Sequence, residues 1–286
     1  MEERRQPVVI AQSERFCGEA EALAGRLGIA FYGVPEEAAF RGIPADAEDV
    51  TLLLLGDDGL SLCSAAASIS EDHLTLFEIT ASLRADLTTM GSRLGKRRLV
   101  DELLVRAANV KGDHKTMVAV DATAGFGEDS MLLAAAGFHV LMYECNPYIA
   151  ALLADAMRRA REIPALAPVL ARMELTCGDS IPALRKMQPS PEVVYLDPMF
   201  PERTKSAAVG KKFQLLHRLE APCPNEEELL AAAMAAHPRR IVIKRPLKGD
   251  RLAGVKPSFS IRGKAVRYDG IDPISFGGGN SDGDMV

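Results

Sequence analysis

From Met117 onward, short apolar runs alternate with stretches whose hydrophobic residues recur at helical spacing. The runs Met117–Thr123, His139–Cys145, Met173–Cys177, Glu192–Leu196 and Arg240–Lys244 predict strands. Residues 128–136, Tyr148–Arg161, 181–187 and 225–236 lie between them and predict helices. Strands separated by helices form a parallel sheet with right-handed crossovers. After the last of these helices and its strand, Ser258–Tyr268 is again β-rich. The expected fold is α/β: a Rossmann-like sheet, mostly parallel, with an antiparallel strand near the C-terminus.

The pattern before residue 85 is different. Pro7–Gln12 predicts a strand, Ser13 is placed to cap a helix ending near Gly28, and Thr51–Leu55 and Leu60–Ser64 flank the turn sequence Gly56-Asp57-Asp58-Gly59. Residues 1–84 therefore read as a small α/β subdomain, a packing or substrate-positioning module without a catalytic constellation. Residues 85–276 form the main domain, and the Gly/Asp/Ser-rich residues 277–286 form a flexible tail. Leu99, Leu103 and Leu104 predict one helix that Gly112 stops. Arg93, Lys96, Arg97 and Arg98 crowd its start, where the helix dipole disfavours cations. A ligand, rather than helix stability, is the reading that accounts for them.

Composition narrows the class. Of the 286 residues 48% are hydrophobic and 26% charged, values of an ordinary globular protein. No apolar run reaches the length of a membrane span, and the N-terminus lacks a signal pattern. Five scattered cysteines without CxxC spacing fit reduced thiols in a cytoplasmic protein, with neither a disulfide framework nor a metal site. The net charge is −5, yet residues 200–268 carry 15 Lys/Arg against 6 Asp/Glu. That imbalance suggests an anionic partner for the C-terminal half.

Ligands of open α/β sheets bind at the carboxyl ends of the strands, and four strand ends here carry suggestive residues. The first is Asp121-Ala-Thr-Ala-Gly125-Phe-Gly127-Glu128-Asp129. A dinucleotide loop needs a third glycine, where this chain has Ser130, and Glu128 and Asp129 would repel a pyrophosphate. Acidic residues suit the ammonium, sulfonium and ribose hydroxyls of S-adenosylmethionine. Glu144 closes the second strand, where a carboxylate accepts ribose hydroxyls. Asp179, after the third strand, is placed to hold an adenine amine or to cap the helix that follows.

The fourth end, Asp197-Pro198-Met199-Phe200, resembles the Asp/Asn-Pro-Pro-Tyr/Phe motif of methyltransferases that modify exocyclic amines of nucleobases. Such an amine is a poor nucleophile, because its lone pair is delocalised. The Asp197 carboxylate and the Pro198 carbonyl are suited to accept its two N–H groups, and Phe200 to stack on the base. Arg97, Arg98, Arg203, Lys205, Lys211, Lys212, Lys244 and Arg245 are candidate RNA contacts.

The runs VDATAGFGEDS, YECNPYIAALL, VVYLDPMFPERTKSAAVGKK and VIKRP resemble the RsmJ (YhiQ) family of bacterial small-subunit ribosomal RNA guanine-N2 methyltransferases. The likeness covers about residues 85–268. It implies a class I methyltransferase sheet and a donor site at Glu128-Asp129, Glu144-Cys145, Asp179-Ser180 and Asp197. It also implies methylation of one guanosine near the 3′ end of 16S rRNA, with that RNA or the small ribosomal subunit as partner. Glu128 and Cys145 depart from the basic residues common at those family positions. Two other readings compete: a methyltransferase for a DNA base, a protein glutamine or a small amine, and an NAD(P)-dependent oxidoreductase.

Overall fold

The computed structural model describes residues 6–37, 44, 47–70, 73–198, 215, 219 and 225–273. Phe200, Arg203, Lys205, Lys211 and Lys212 lie outside the described residues. The chain divides into two units, one of Met1–Asp86, Asn146–Arg159 and Pro201–Ala221, the other of Leu87–Cys145, Ala160–Phe200 and Pro222–Val286, each taken over its described residues.

The first unit is built on a five-stranded sheet of order β1-β3-β4-β5-β2. Its strands are β1 (Val8–Ala11), β2 (Glu36–Glu37), β3 (Glu48–Gly56), β4 (Gly59–Ile69) and β5 (Leu74–Leu83). The expected hairpin is present: Gly56 pairs with Gly59 across Asp57-Asp58, and Gly59 leaves the turn at a positive φ of 95°, a region that favours glycine. Helix α1 (Cys17–Leu27) ends on Gly28 at φ 67°, a left-handed cap. Ser13 is not the helix cap. It precedes a 3₁₀ turn, Glu14–Phe16, makes no side-chain capping bond, and α1 begins one residue beyond that turn. Val8, Ile10, Val50, Leu52, Cys63 and Leu74 form the buried core against the sheet.

The second unit carries a seven-stranded sheet. In chain order its strands are β6 (Val118–Asp121), β7 (His139–Glu144), β8 (Met173–Cys177), β9 (Val193–Leu196), β10 (Arg240–Pro246), β11 (Phe259–Arg262) and β12 (Val266–Ile271). Across the sheet they run β11-β12-β10-β9-β6-β7-β8. From β10 to β8 every pairing is parallel, while β12 is antiparallel to both of its neighbours. Alternate residues Val194, Leu196, Ile241 and Ile243 pack with Leu184, Leu229, Ala232 and Ala233 in one buried cluster. Leu184 belongs to α7 (Ser180–Arg185) and the other three to α8 (Glu226–Ala235). Burying each such large aliphatic side chain stabilises the fold by about 1.5–3 kcal/mol.

The single helix expected around residue 99 is instead two short ones, α2 (Lys96–Leu99) and α3 (Leu103–Ala107). Glu102 interrupts them in an extended conformation, φ −61° and ψ 126°, and its carboxylate takes Arg93 Nε at 2.9 Å and Nη2 at 3.1 Å. Arg93 Nη1 also lies 3.5 Å from Glu128. The protein itself supplies the partners that the sequence suggested a ligand would give Arg93.

Helix α5 (Pro147–Arg161) carries Asp155, whose buried carboxylate accepts the Leu60 amide at 2.9 Å, Arg158 at 2.8 Å and Arg159 at 2.8 Å. Burial alone would raise its pKa, but these donors hold it below the usual carboxylate range. Its stabilising contribution is therefore complete above a pH of about 4 and is lost as pH falls through the lowered value. Asp155→Ala leaves Arg159 and the Leu60 amide without this partner, and is expected to cost about 3 kcal/mol. Urea denaturation at neutral pH checks this; an unchanged midpoint would show the carboxylate to be dispensable.

Candidate active site

The sheet reverses its order of filling between β6 and β9: the chain winds outward from β6 through β7 to β8, then returns to lay β9 on the other flank of β6. A crevice opens at the carboxyl ends of two such strands. Here those ends are Asp121 and Asp197. Backbone bonds continue past the formal strand ends, with the Ala122 amide donating to the Tyr195 carbonyl at 3.0 Å and the Ala124 amide to the Tyr143 carbonyl at 3.0 Å. Thr123 Oγ1 then accepts the Asp197 amide at 2.7 Å, so the first and fourth tips are stitched together by a side chain.

The turn from β6 into α4 (Glu128–Ala135) needs two residues at positive φ, Gly125 at 53° and Gly127 at 77°. A Cβ at Gly125 would meet only the Thr123 carbonyl, at 4.0 Å, and would fill open space above the loop. The Gly125 amide donates to Glu144 Oε2 at 2.9 Å, which joins the second tip to the loop. Ser130, at the place of a third dinucleotide glycine, donates its hydroxyl to Asp121 Oδ2 at 2.5 Å, and the Thr123 amide donates to Oδ1 at 3.1 Å. Asp121 is 1% exposed. Burial pushes its pKa up to about 7, against the pull of those two hydrogen bonds.

One cation balances the remaining carboxylates. Lys244 Nζ lies 2.8 Å from Asp197 Oδ2 and 2.9 Å from Asp129 Oδ2. The Tyr195 hydroxyl donates to the same Asp129 oxygen at 2.6 Å. Burial opposes the lysine charge, yet the two carboxylates outweigh it and hold Lys244 above its ordinary range. Burial raises the Asp197 pKa, and Lys244 only partly offsets that rise.

The positions read from the sequence fall into three groups. Asp121, Gly125, Gly127, Asp129, Glu144, Asp197 and Pro198 gather at or beside the β6, β7 and β9 tips. Asp179 caps α7, accepting the Ile181 amide at 2.9 Å, while Ser180 is buried and Cys145 is exposed. The third group holds the candidate RNA contacts, two of which have partners within the protein. Lys244 is turned into the carboxylates rather than lying free for phosphate. Arg245 is 3% exposed, donating to the Asp250 carbonyl at 2.7 Å and facing Glu226 at 3.4 Å. A side chain so enclosed is not an open RNA contact. Arg97 and Arg98 are exposed.

Thr123, Tyr195 and the inward role of Lys244 were not read from the sequence. Strand alternation carries the signal: Tyr195 shares a face with Asp197, and Ile243 pairs with Leu196, which puts Lys244 alongside Asp197.

The donor set fits S-adenosylmethionine. Carboxylates at the first, second and fourth tips suit a ligand with an ammonium and a sulfonium, and the open face of Gly125 admits it closely. This sheet and site define a class I S-adenosylmethionine-dependent methyltransferase. The family described as "Putative SAM-dependent methyltransferase" matches residues 43–271. The chain is 38% identical over 261 residues to ribosomal RNA small subunit methyltransferase J of Thioalkalivibrio sulfidiphilus, covering 90% of this chain and 94% of that one. It is 36% identical to the protein of that name from Marinobacter nauticus, over 90% and 87% of the two chains. A crystal structure of a SAM-dependent methyltransferase from Neisseria gonorrhoeae superimposes with a TM-score of 0.63 at 30% identity, covering 94% and 96%. The chain belongs to the ribosomal RNA small subunit methyltransferase J (RsmJ) family.

Lys244→Met removes the shared cation while roughly keeping side-chain volume. Asp197, which loses the cation that lowers its pKa, is then expected to hold its proton to higher pH. The acid limb of the activity profile should move upward by about one pH unit, which corresponds to about 1.4 kcal/mol. A superimposable pH profile for the variant would show that the lysine does not tune this carboxylate.

Proposed function

We propose that this enzyme methylates the exocyclic N2 amine of one guanosine near the 3′ end of 16S rRNA. The observation that carries the reading is the setting of Asp197, an amine-motif carboxylate fixed at the switch point opposite the glycine loop. The names of the relatives point to small-subunit ribosomal RNA as the substrate class.

The chemistry asked of the chain is modest. S-adenosylmethionine, when bound, supplies an electrophilic methyl on a sulfonium that is already a good leaving group. Thr123 fixes the Asp197 backbone and Lys244 fixes Oδ2, which leaves Oδ1 to accept one N–H of the target amine. The Pro198 carbonyl accepts the other. Two acceptors at a fixed separation favour a pyramidal nitrogen whose lone pair points along the line of transfer. Alignment of this kind contributes about 7–11 kcal/mol to barrier lowering. The nitrogen gains the methyl and must shed one proton, and Asp197, made more basic by burial, is the nearest acceptor. Phe200 is proposed to stack on the guanine. Gly125, Gly127, Glu128, Asp129, Glu144, Cys145, Asp179 and Ser180 are proposed to shape the donor site.

A base presented this way is unstacked, at a cost of a few kcal/mol. The favoured substrate is therefore a loop or single-stranded segment, free or in the assembled subunit. Arg97, Arg98, Arg203, Lys205, Lys211 and Lys212 are proposed to meet its phosphates. A ribosomal substrate is in keeping with an enzyme of the cytoplasm.

Asp197→Asn keeps the shape but weakens the acceptor. It is expected to lower kcat at least about 100-fold, with S-adenosylmethionine affinity by calorimetry within about threefold. Turnover at the wild-type rate would defeat the mechanism. The substrate is tested separately, by mapping methylated guanosines in 16S rRNA from a deletion strain and its parent. One N2-methylguanosine near the 3′ end should disappear; an identical methylation map would end the rRNA assignment.

A further inference from the structure

Beyond Lys244 the strand β10 runs into a loop, residues 247–258, that returns through β11 and β12. This loop and hairpin border an open cavity of about 670 Å³, lined among others by Lys248, Asp250, Arg251, Ser260 and Arg262. Its position follows from the register. Lys244 pairs with Tyr268, Arg245 with Arg267, and Arg262 with Arg267 on the far strand. The cavity mouth is therefore on the same carboxyl edge of the sheet as Asp197. Leu247 lies three positions beyond Lys244, about 10 Å along the chain.

The cavity is held in shape from behind. Arg267 is buried and donates to the carbonyls of Pro246 at 2.8 Å, Leu247 at 3.1 Å, Gly249 at 2.8 Å and Asp250 at 3.3 Å. Asp269 accepts its Nε at 2.9 Å. Arg245, its cross-strand partner, donates to the same Asp250 carbonyl at 2.7 Å. Ala253, a non-glycine residue at φ 47°, lies in the left-handed region. That conformation costs about 1–2 kcal/mol and persists only where the surroundings impose it.

The front of the same cavity has a different charge state. Lys248, Arg251 and Arg262 are exposed, as are Lys256 and Lys264 close by. Among the described residues none of these five forms an ion pair with a carboxylate; of the two acidic residues that line the cavity, Asp269 is already engaged by Arg267 and Ser260, and Asp250 is exposed. Unpaired cations on a rigid, strained scaffold beside a catalytic edge have little value for folding. They suit a ligand that brings negative charge.

We propose that this cavity is a phosphate-binding site for the RNA backbone flanking the target nucleotide, with Lys248, Arg251 and Arg262 as its contacts. The inference rests on the rRNA reading above and relocates part of the RNA surface. The enclosed Arg245 shapes the site from within, and the loop beyond it meets the nucleic acid. Phosphate contacts of this kind set register and orientation, while Asp197 and Pro198 grip the base.

The test uses the full-length enzyme and a 16S rRNA 3′-end fragment, with binding followed by fluorescence anisotropy over a salt series. A triple variant, Lys248→Gln with Arg251→Gln and Arg262→Gln, alters exposed side chains only. Its RNA affinity should fall at least tenfold at moderate salt. The slope of log K against log salt should shrink by about 0.7–0.9 for each contact removed. The KM for RNA should rise, with the Kd for S-adenosylmethionine unchanged. The comparison variant, Lys111→Gln with Lys115→Gln, removes exposed cations at the amino end of β6, on the opposite edge. It should leave affinity and slope near wild type. Equal losses per charge in both variants would reduce the effect to bulk electrostatics and overturn the proposal. So would a triple variant that binds like wild type while wild type binds the fragment tightly. If wild type itself fails to bind either the fragment or the small subunit, the rRNA reading falls first and this site falls with it.

Discussion

The site depends on one lysine placed between two carboxylates. Asp129 on α4 and Asp197 at the end of β9 both converge on Lys244 of β10 within hydrogen-bonding distance. Without a cation between them, two half-buried carboxylates would repel each other and one would retain a proton. With it, three elements distant in sequence are held at one point, and the negative charge needed at the site survives partial burial. Tyr195 adds a neutral donor to Asp129 and shares the load. Such an arrangement serves geometry more than stability, since charge attraction here largely offsets the cost of desolvation.

The sheet topology makes that convergence possible. Because β9 returns to the flank of β6, the tips that carry Asp121 and Asp197 become neighbours, and Thr123 bridges them. Glu144 contributes from the next strand by accepting the Gly125 amide. The glycine loop is thus positioned from both sides, by the first tip and the second. Ser130 explains why the loop departs from a dinucleotide pattern: its hydroxyl holds the buried Asp121, a task that glycine could not perform.

Much of this was legible in the chain. All five strands expected from Met117 to Lys244 exist, each within two residues of the expected ends, because buried parallel strands are short, apolar and bounded by helices. The hairpin at Gly56–Gly59 was legible from its turn chemistry alone. Strand β5 was missed, since Leu74–Leu83 is half-exposed and its polar residues blur the alternation. Around residue 99 the apolar spacing continues through Glu102 and predicts one helix, whereas the pairing of that residue with Arg93 breaks it. Lys244 and Arg245 looked alike as adjacent cations. On a strand they face opposite ways, and only their partners tell a charge-balancing residue from a buried brace.

The manner in which Arg267 holds its loop has an evolutionary consequence. Its partners at residues 246, 247, 249 and 250 are main-chain oxygens, which every amino acid possesses. The side chains of Leu247 and Asp250 are therefore released from the duty to maintain the loop's form, whereas a Cβ at Gly249 would press on the Pro246 ring at 3.1 Å. Substitutions at those two positions can accumulate without unravelling it.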